Sequence, residues 1–172
     1  FLEMQCERFE KALGFAPTVY RAHFLRHYGE ESERLFASCG LRIDSSLGTP
    51  DLHGYRRGTA HAVFPRSGGA NLINVPMHSM DVTLRRQYGF EEMERALDGM
   101  ALLIDRSKSV GGCHVFLSHP HNMEPLFWKG WEDLPIRVAE LAQHRAMRFV
   151  TIGQHVEEET ERRRLLFTNQ IG

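Results

Sequence analysis

Apolar residues along the chain follow two kinds of pattern, and each predicts a different element. Over residues 1–13 they fall three or four positions apart, which predicts an amphipathic helix ending at Gly14. A second helix is predicted over residues 30–38. The most regular stripe, over residues 90–104, keeps steps of three and four and predicts a helix packed on the core.

Short apolar runs bounded by Gly, Pro or polar residues separate these helices and predict strands. The predicted strands are residues 18–20, 41–43, 72–75, 115–117 and 149–152, with a brief additional run at 62–64. A further helix is predicted over residues 134–141, after Asp133 as its cap. Because strands and helices alternate, the pattern favours an α/β fold with a parallel sheet and crossover helices.

Near its end the chain has a charge run over residues 157–164 that is typical of a helix. Glu158 stands four residues before Arg162, and Glu159 four before Arg163, the favourable order for side-chain pairs along a helix. We expect this run to be a solvated helix face. The long segment 47–71 has no sustained period, and the sequence leaves open whether it is an ordered lid.

Composition and charge narrow the class of protein. With 172 residues, 42% hydrophobic and 25% charged, the chain is long enough for a single globular domain over residues 1–172. A net charge of −1 and scattered Lys and Arg argue against nucleic acid or an acidic membrane surface as a partner. Three cysteines, an odd number without a C-x-x-C pair, argue against a complete disulfide framework, and each is expected to be a small buried hydrophobic residue. No apolar stretch reaches about 20 residues and no signal peptide is visible, so we expect a cytoplasmic protein.

Candidate chemistry comes from the positions that follow predicted strands. Arg21, Asp44, His78 and His119 each come within a few residues after such a run. In a parallel barrel these positions share one rim. A cation, a carboxylate and histidines together suit hydrolysis of a polarised carbonyl. The alternative is coincidence, because loops are polar in any case.

Four motifs in this order resemble the later motifs of the polysaccharide deacetylases, which are carbohydrate esterases on a distorted (β/α)7 barrel. They are Arg21-Ala22-His23-Phe24, the run from Cys39 to Leu47, Asn74-Val75-Pro76, and Leu117-Ser118-His119. The resemblance covers roughly residues 13–156. It implies a partial or distorted TIM-like (β/α)7 barrel, and hydrolysis of a C–N amide bond in an N-acetylated carbohydrate or similar N-acyl substrate.

The resemblance also implies roles for individual residues. Arg21 would orient a catalytic aspartate, His119 would be the general acid, and Leu117 would line the acetyl pocket. Phe24 and Asp44 are expected to contact the substrate. The simpler alternatives are a salt-bridged surface arginine for Arg21, a plain core leucine for Leu117, and an aspartate that holds a turn for Asp44.

The chain departs from the family where the metal should bind. The family's catalytic and metal-binding aspartates and its His-x-x-x-His pair normally precede the arginine motif, and the chain is shorter than the roughly 250 residues of a usual barrel. We therefore expect the C-terminal portion of a barrel, with the ligands of a divalent metal, expected to be zinc, upstream of this chain. The isolated chain could then be inactive. A second possibility is a site within the chain, in which His23 and His27 share one helix face.

A rival hypothesis from another class is a non-catalytic barrel that binds a glycan or a protein. Trp128 and Trp131 would supply the binding surface, because aromatic rings stack on sugar faces. The same two residues are equally compatible with packing in a core. The sequence does not decide the oligomeric state.

Overall fold

A computed structural model of the protein describes residues 1–65, 70–89 and 92–168. Within these residues the chain forms seven α-helices, five short strands and two short 3-10 helices. The α-helices are α1 (Leu2–Leu13), α2 (Glu30–Ser38), α3 (Asp81–Tyr88), α4 (Met93–Ser109), α5 (Pro125–Trp128), α6 (Leu134–His144) and α7 (Ile152–Thr168). The strands are β1 (Val19–Tyr20), β2 (Ile43–Asp44), β3 (Ile73–Asn74), β4 (Ser79–Met80) and β5 (Phe116–Leu117), and the 3-10 helices are His23–Leu25 and Pro120–Met123.

The helices predicted from periodicity are confirmed. Helix α1 ends at Gly14, whose φ of 80° is the left-handed conformation that a glycine adopts without strain. Helix α2 has the predicted bounds. Three glutamates lie in its first turn, where their negative charges interact favourably with the positive end of the helix dipole. The apolar stripe of residues 90–104 corresponds to α4, although Phe90 itself lies outside the described residues.

The predicted strand at residues 149–152 is wrong. Phe149 is exposed, and α7 begins at Ile152. The Thr151 hydroxyl accepts a hydrogen bond from the Gln154 backbone N–H at 3.2 Å, and the Gln154 side chain accepts one from the Thr151 backbone N–H at 2.9 Å. This capping box starts a helix where the apolar run indicated a strand. The run at 62–64 forms only an isolated antiparallel bridge between Val63 and Asn74.

The described residues divide into two compact units. The first unit comprises the described parts of Phe1–Leu47, Ala62–Val75 and Val150–Gly172. Its sheet has the order β1-β2-β3, all parallel, and α2 is the crossover between β1 and β2. A small core packs beside the sheet and consists of Ala22, Phe36, Leu41 and Leu72.

The second unit comprises Gly48–His61 and the described parts of Pro76–Phe149. Strands β4 and β5 form a parallel pair, and α3 and α4 connect them. The core of this unit surrounds Trp131, which is 1% exposed, and also contains Leu84, Ala96, Leu97, Met100, Leu134 and Val138. Trp131 is therefore a packing residue. It is not available for the glycan-binding surface that the rival hypothesis assigns to Trp128 and Trp131.

The charge run lies in helix α7, and it is not the fully solvated helix face that was expected. Glu159 is only 3% exposed, and its carboxylate accepts hydrogen bonds from the Ala62 backbone N–H at 3.0 Å and from Arg163 at 3.2 Å. Arg163 also donates to the Ala62 carbonyl at 3.0 Å. The expectation was therefore wrong for Glu159, because its partner lies about a hundred residues away in sequence.

The fold class is mixed α/β with parallel strands and crossover helices, as the alternation predicted. A closed (β/α)7 barrel is not shown, because the described strands form two small open sheets. None of the described helices is both long and apolar enough to cross a membrane. Cys6, Cys39 and Cys113 are free thiols, and they are half-buried where full burial was expected. The single domain over residues 1–172 stays a prediction.

Candidate functional site

The second unit brings together two polar side chains at the carboxyl ends of its parallel strands. Met80 at the end of β4 pairs with Leu117 at the end of β5. Asp81 follows β4 directly and His119 follows β5 by two residues, so the strand pairing places the two side chains side by side. The edge beyond the carboxyl ends of parallel strands is where α/β folds usually place their chemistry.

The Asp81 carboxylate is the centre of this cluster. It is 1% exposed and accepts hydrogen bonds from the backbone N–H groups of Val82 and His119, both at 2.7 Å. The Asn122 side-chain amide donates at 3.0 Å, and the Ser118 hydroxyl lies at 3.5 Å. These donors compensate the carboxylate for its lost hydration and fix its orientation.

Asp81 also fixes the imidazole of His119. The His119 Nδ1 lies 2.7 Å from Asp81 Oδ1, and since an ionised carboxylate can only accept, Nδ1 carries the proton. This leaves Nε2 as the nitrogen available to a bound molecule. The His119 side chain is 34% exposed, whereas that of Asp81 is 2% exposed. A buried carboxylate behind a half-exposed imidazole is an arrangement used for acid–base chemistry.

Sequence analysis singled out His119 but missed Asp81 and Asn122. Strand β4 is two residues long and follows His78, so no apolar run marked the strand end at which Asp81 stands. His78 follows β3 by four residues, as expected, but it also directly precedes β4 and is 1% exposed, so its place at a shared rim stays a prediction. Leu117 is half-buried at the end of β5. Whether it lines an acyl pocket stays a prediction.

Three of the predicted site residues, Arg21, Phe24 and Asp44, belong to the first unit. The Arg21 guanidinium donates to the Ser45 carbonyl at 3.0 Å and to the Ser45 hydroxyl at 2.8 Å. Burial lowers the pKa of Arg21, and the nearby Asp44 carboxylate opposes that shift. Among the described residues no carboxylate forms an ion pair with this guanidinium. Arg21 is therefore a partly buried cation held by neutral groups.

Asp44 is fully buried in the first unit. Its Oδ1 accepts hydrogen bonds from the Ser46 backbone N–H at 3.0 Å and from the Ser46 hydroxyl at 2.5 Å. Burial raises the pKa of Asp44, while the hydrogen bonds from Ser46 and the nearby His27 oppose the increase. This is the turn-holding arrangement considered from the sequence. A substrate contact of Asp44 stays a prediction. It would require the substrate to reach a side chain that has 0% exposure.

Phe24 is held outward by an unusual backbone. Its φ is 58° and that of Leu25 is 53°, in the left-handed region that bulky residues rarely adopt. The Phe24 ring is 72% exposed and stacks on the His23 ring at 4.1 Å between centroids. Because the 3-10 turn ends at Leu25, His23 and His27 do not share an α-helix. The hypothesis of a histidine pair on one helix face is therefore wrong.

The donor set of the described residues does not fit a resident metal ion. No three side chains among their His, Cys, Asp and Glu residues are arranged so that they could hold one. The nearest approach to such a group in the first unit is His27 with Asp44 and Glu33, whose Nε2–oxygen distances are 3.6 and 3.9 Å. These separations are longer than ordinary hydrogen bonds, and the three side chains do not form a group that could hold a metal ion.

Comparison with known proteins gives one structural neighbour and no match at the level of sequence. No family model matches the chain, and a search of curated proteins found no match. A solved structure described as a "putative polysaccharide deacetylase" from Mycobacterium smegmatis superposes with a TM-score of 0.61 and 18% sequence identity. The match covers 92% of this chain and 54% of that chain, so the protein spans about half the length of its neighbour. At this identity the similarity shows the fold alone.

Proposed function

We propose that this chain supplies the general acid of a deacetylase that hydrolyses a C–N amide bond in an N-acetylated carbohydrate or a similar N-acyl substrate. The observation that carries the proposal is the Asp81–His119 pair, with 2.7 Å between carboxylate and Nδ1 and a half-exposed imidazole. The fold similarity to a deacetylase structure supports the reaction class. The substrate and the activity of the whole protein belong to the proposal.

Amide hydrolysis requires a proton at the departing nitrogen, because an amine leaves as a neutral molecule and not as an anion. In the proposed role the protonated His119 donates from Nε2 to that nitrogen as the C–N bond breaks. Asp81 accepts from Nδ1–H and stabilises the imidazolium before the transfer. A water molecule adds its oxygen to the carbonyl carbon and gives a proton to the catalytic carboxylate, so the products are a free amine and a carboxylic acid, and solvent returns a proton to His119.

Arg21, Phe24 and Leu117 keep in this proposal the roles expected from the sequence. Arg21 would orient a catalytic carboxylate, and its guanidinium suits this role because only neutral groups hold it in the described residues. Phe24 would contact the sugar with its exposed ring, since apolar sugar faces stack on aromatic side chains. Leu117 would face the acyl group. The strained backbone conformation of Phe24 is typical of functional positions.

The proposal includes a divalent metal, expected to be zinc, whose ligands the described residues do not supply. No step of the reaction is therefore assigned to a metal here. Elemental analysis of the purified chain after incubation with zinc and dialysis tests this part separately. We expect no retained zinc, and near-stoichiometric zinc would contradict it.

The decisive experiment replaces His119 in the full-length gene product that contains this chain. We expect His119→Gln to lower the release of free amine from an N-acetylated oligosaccharide about 10²–10⁴-fold, the usual contribution of a general acid. Metal content should not change. His144→Gln is the matched control, because His144 is an exposed histidine of the same unit. Undiminished amine release from His119→Gln would exclude this residue as the acid.

A further inference from the structure

Strands β4 and β5 carry a second pair of side chains at their amino-terminal ends. His78 directly precedes β4, and His114 precedes β5 by two residues. Their rings stack with 5.4 Å between centroids and 29° between planes. The same two short strands therefore hold a histidine pair at one end and the Asp81–His119 pair at the other.

The hydrogen bonds of His78 define its protonation state. The Val115 backbone N–H donates to Nδ1 at 3.0 Å, so Nδ1 carries no proton. Nε2 lies 3.3 Å from the Thr59 carbonyl, which can only accept, so Nε2 carries the proton. His78 is 1% exposed. It is thus a buried neutral imidazole that acts as an acceptor for the backbone of β5.

His114 is held neutral by its surroundings. Its Nε2 lies 2.8 Å from the Ser79 hydroxyl, and its Nδ1 is shut off from solvent with no hydrogen-bond partner in the described residues. Burial lowers the pKa of His114 to about 3, and the neighbouring His78 and His53 contribute to the decrease. A proton on Nδ1 would be a buried charge without a partner.

Tyr55 and His53 lie close to the pair. The Tyr55 ring meets His78 edge-on at 5.1 Å, and its hydroxyl bonds to the Leu103 carbonyl and the Ser107 hydroxyl. His53 lies nearby and bonds through Nε2 to Tyr88 at 3.2 Å. Burial lowers the pKa of His53, and a hydrogen bond with Gln87 opposes this. Other titratable or charged groups of these elements include Asp98 and Arg95, which act on Tyr88, and Cys113, next to His114 in the chain.

The histidine pair is linked to the candidate site through the backbone of the two strands. The backbone N–H groups of His78 and Ser79 donate to the Val115 carbonyl at 3.0 and 3.2 Å, in addition to the Val115 N–H that His78 accepts. Asp81 is three residues beyond His78, and His119 four beyond Val115. Protonation of His78 at Nδ1 would turn an acceptor into a donor that faces the Val115 N–H, and would break this contact.

We propose that His78 and His114 are positioning residues that keep Asp81 aligned with His119 only while both imidazoles are neutral, so that acid weakens the alignment. That this regulates catalysis rests on the proposed function, whereas the acid response of the second unit does not. The expected direction follows from linkage. A histidine whose folded-state pKa is lowered stabilises the fold fully above the unfolded value of 6.5, and this contribution is lost as the pH falls toward the folded value.

The size of the effect follows from the same relation. Between neutral pH and about pH 5, His114 alone should reduce the folding equilibrium constant of the second unit about 30-fold. Both tryptophans of the chain, Trp128 and Trp131, lie in this unit, and Trp131 is buried in its core. Intrinsic tryptophan emission therefore reports on the second unit when the whole chain is titrated with acid.

The first experiment compares acid titrations of the whole chain and its variants by tryptophan emission. The double variant His78→Asn with His114→Gln keeps an acceptor toward Val115 and a hydrogen-bonding group toward Ser79 but cannot be protonated near neutral pH. We expect its acid transition to lie at least about one pH unit below that of the wild type. His144→Gln should behave as wild type. A folded double variant with an unchanged transition would overturn the proposal.

The second experiment needs no variant and no activity. Nitrogen-15 NMR of the wild-type imidazoles should show His78 as the Nε2–H form at neutral pH. The Nδ1–H signal of His119, bonded to Asp81, should be lost in the same pH range in which His78 is protonated. A His119 signal that persists after His78 is protonated would overturn the coupling. Because neither experiment uses turnover, their failure is distinguishable from a failure of the deacetylase proposal.

Discussion

Among the described residues, each unit holds a histidine close to an aspartate, and the two pairs differ in exposure and contact. In the first unit His27 Nε2 lies 3.6 Å from Asp44 Oδ2, and the two side chains are 3% and 0% exposed. In the second unit His119 Nδ1 lies 2.7 Å from Asp81 Oδ1, and the histidine is 34% exposed. The first pair is sealed and too far apart for a hydrogen bond, whereas the second is bonded and open to solvent.

The difference between the pairs comes from what each aspartate binds. Asp44 accepts from Ser46, two residues on, and so stabilises its own turn. Asp81 accepts from His119 and Asn122, about forty residues away, and so joins two chain segments at the end of two strands. A buried carboxylate marks a candidate site when it orients a titratable group that reaches solvent. A buried aspartate that only stabilises its own turn does not mark such a site.

The largest expected effect is the difference in free energy of unfolding between alanine variants of the two aspartates. Asp81→Ala leaves the Val82 and His119 backbone N–H groups and the Asn122 amide without their acceptor, so we expect a loss of about 3–5 kcal/mol in the free energy of unfolding. Asp44→Ala should cost only about 1–2 kcal/mol, because it removes two local hydrogen bonds and also a desolvated charge.

Urea unfolding would measure both variants, with tryptophan emission for the second unit and amide hydrogen exchange for the peptides of the first. Equal destabilisation by the two alanine variants would contradict the comparison.

A smaller effect, opposite in sign, is expected at Phe24. Glycine adopts the φ of 58° without strain, and the exposed ring contributes little burial, so Phe24→Gly should stabilise the first unit by about 0.5–1 kcal/mol. If Phe24 contacts the substrate as proposed, the same variant should bind an N-acetylated oligosaccharide more weakly. The melting temperature measures the first effect and calorimetric titration the second.

The matched control for this prediction is Tyr28→Gly. Tyr28 is also an exposed aromatic residue of the first unit but has no positive φ. The control should be neutral or slightly destabilising because glycine increases the entropy of the unfolded chain. A Phe24→Gly protein no more stable than the control would show that the backbone conformation costs nothing.

The smallest expected effect concerns pH. Burial raises the pKa of Asp44 above its ordinary 3.8, so its contribution to stability is complete below that value and is lost as the pH rises through the folded pKa. Acid should therefore favour the first unit through Asp44, whereas it disfavours the second through His114. Asp44→Asn should abolish the acid-side gain and change stability at neutral pH by less than about 1 kcal/mol.

Urea midpoints of wild type and Asp44→Asn at neutral and mildly acidic pH measure this difference. A variant that keeps the same dependence on pH in the first unit would show that Asp44 is not the group responsible.

Sequence by itself determined the features that depend on neighbours along the chain. The periodicity of α1, α2, α4 and α6 was sufficient, because a helical face repeats every three or four residues. Gly14 marks the end of α1, whereas the side chain of Asp133, expected to cap α6, makes no capping hydrogen bond. It also placed His119 just beyond a strand end, since Leu117-Ser118-His119 follows an apolar run. The two-residue strand β4 was missed because a run of that length gives no period.

Only the tertiary structure decided which polar groups meet. Asp81 and His119 are 38 residues apart, and Ala62 and Glu159 are 97 apart, so no local pattern joins them. Both carboxylates are buried because distant backbone N–H groups compensate them, which spacing cannot reveal. The apolar run at 149–152 became the start of α7 through the Thr151–Gln154 cap. Local periodicity therefore determined most helices, whereas strand pairing determined the candidate site.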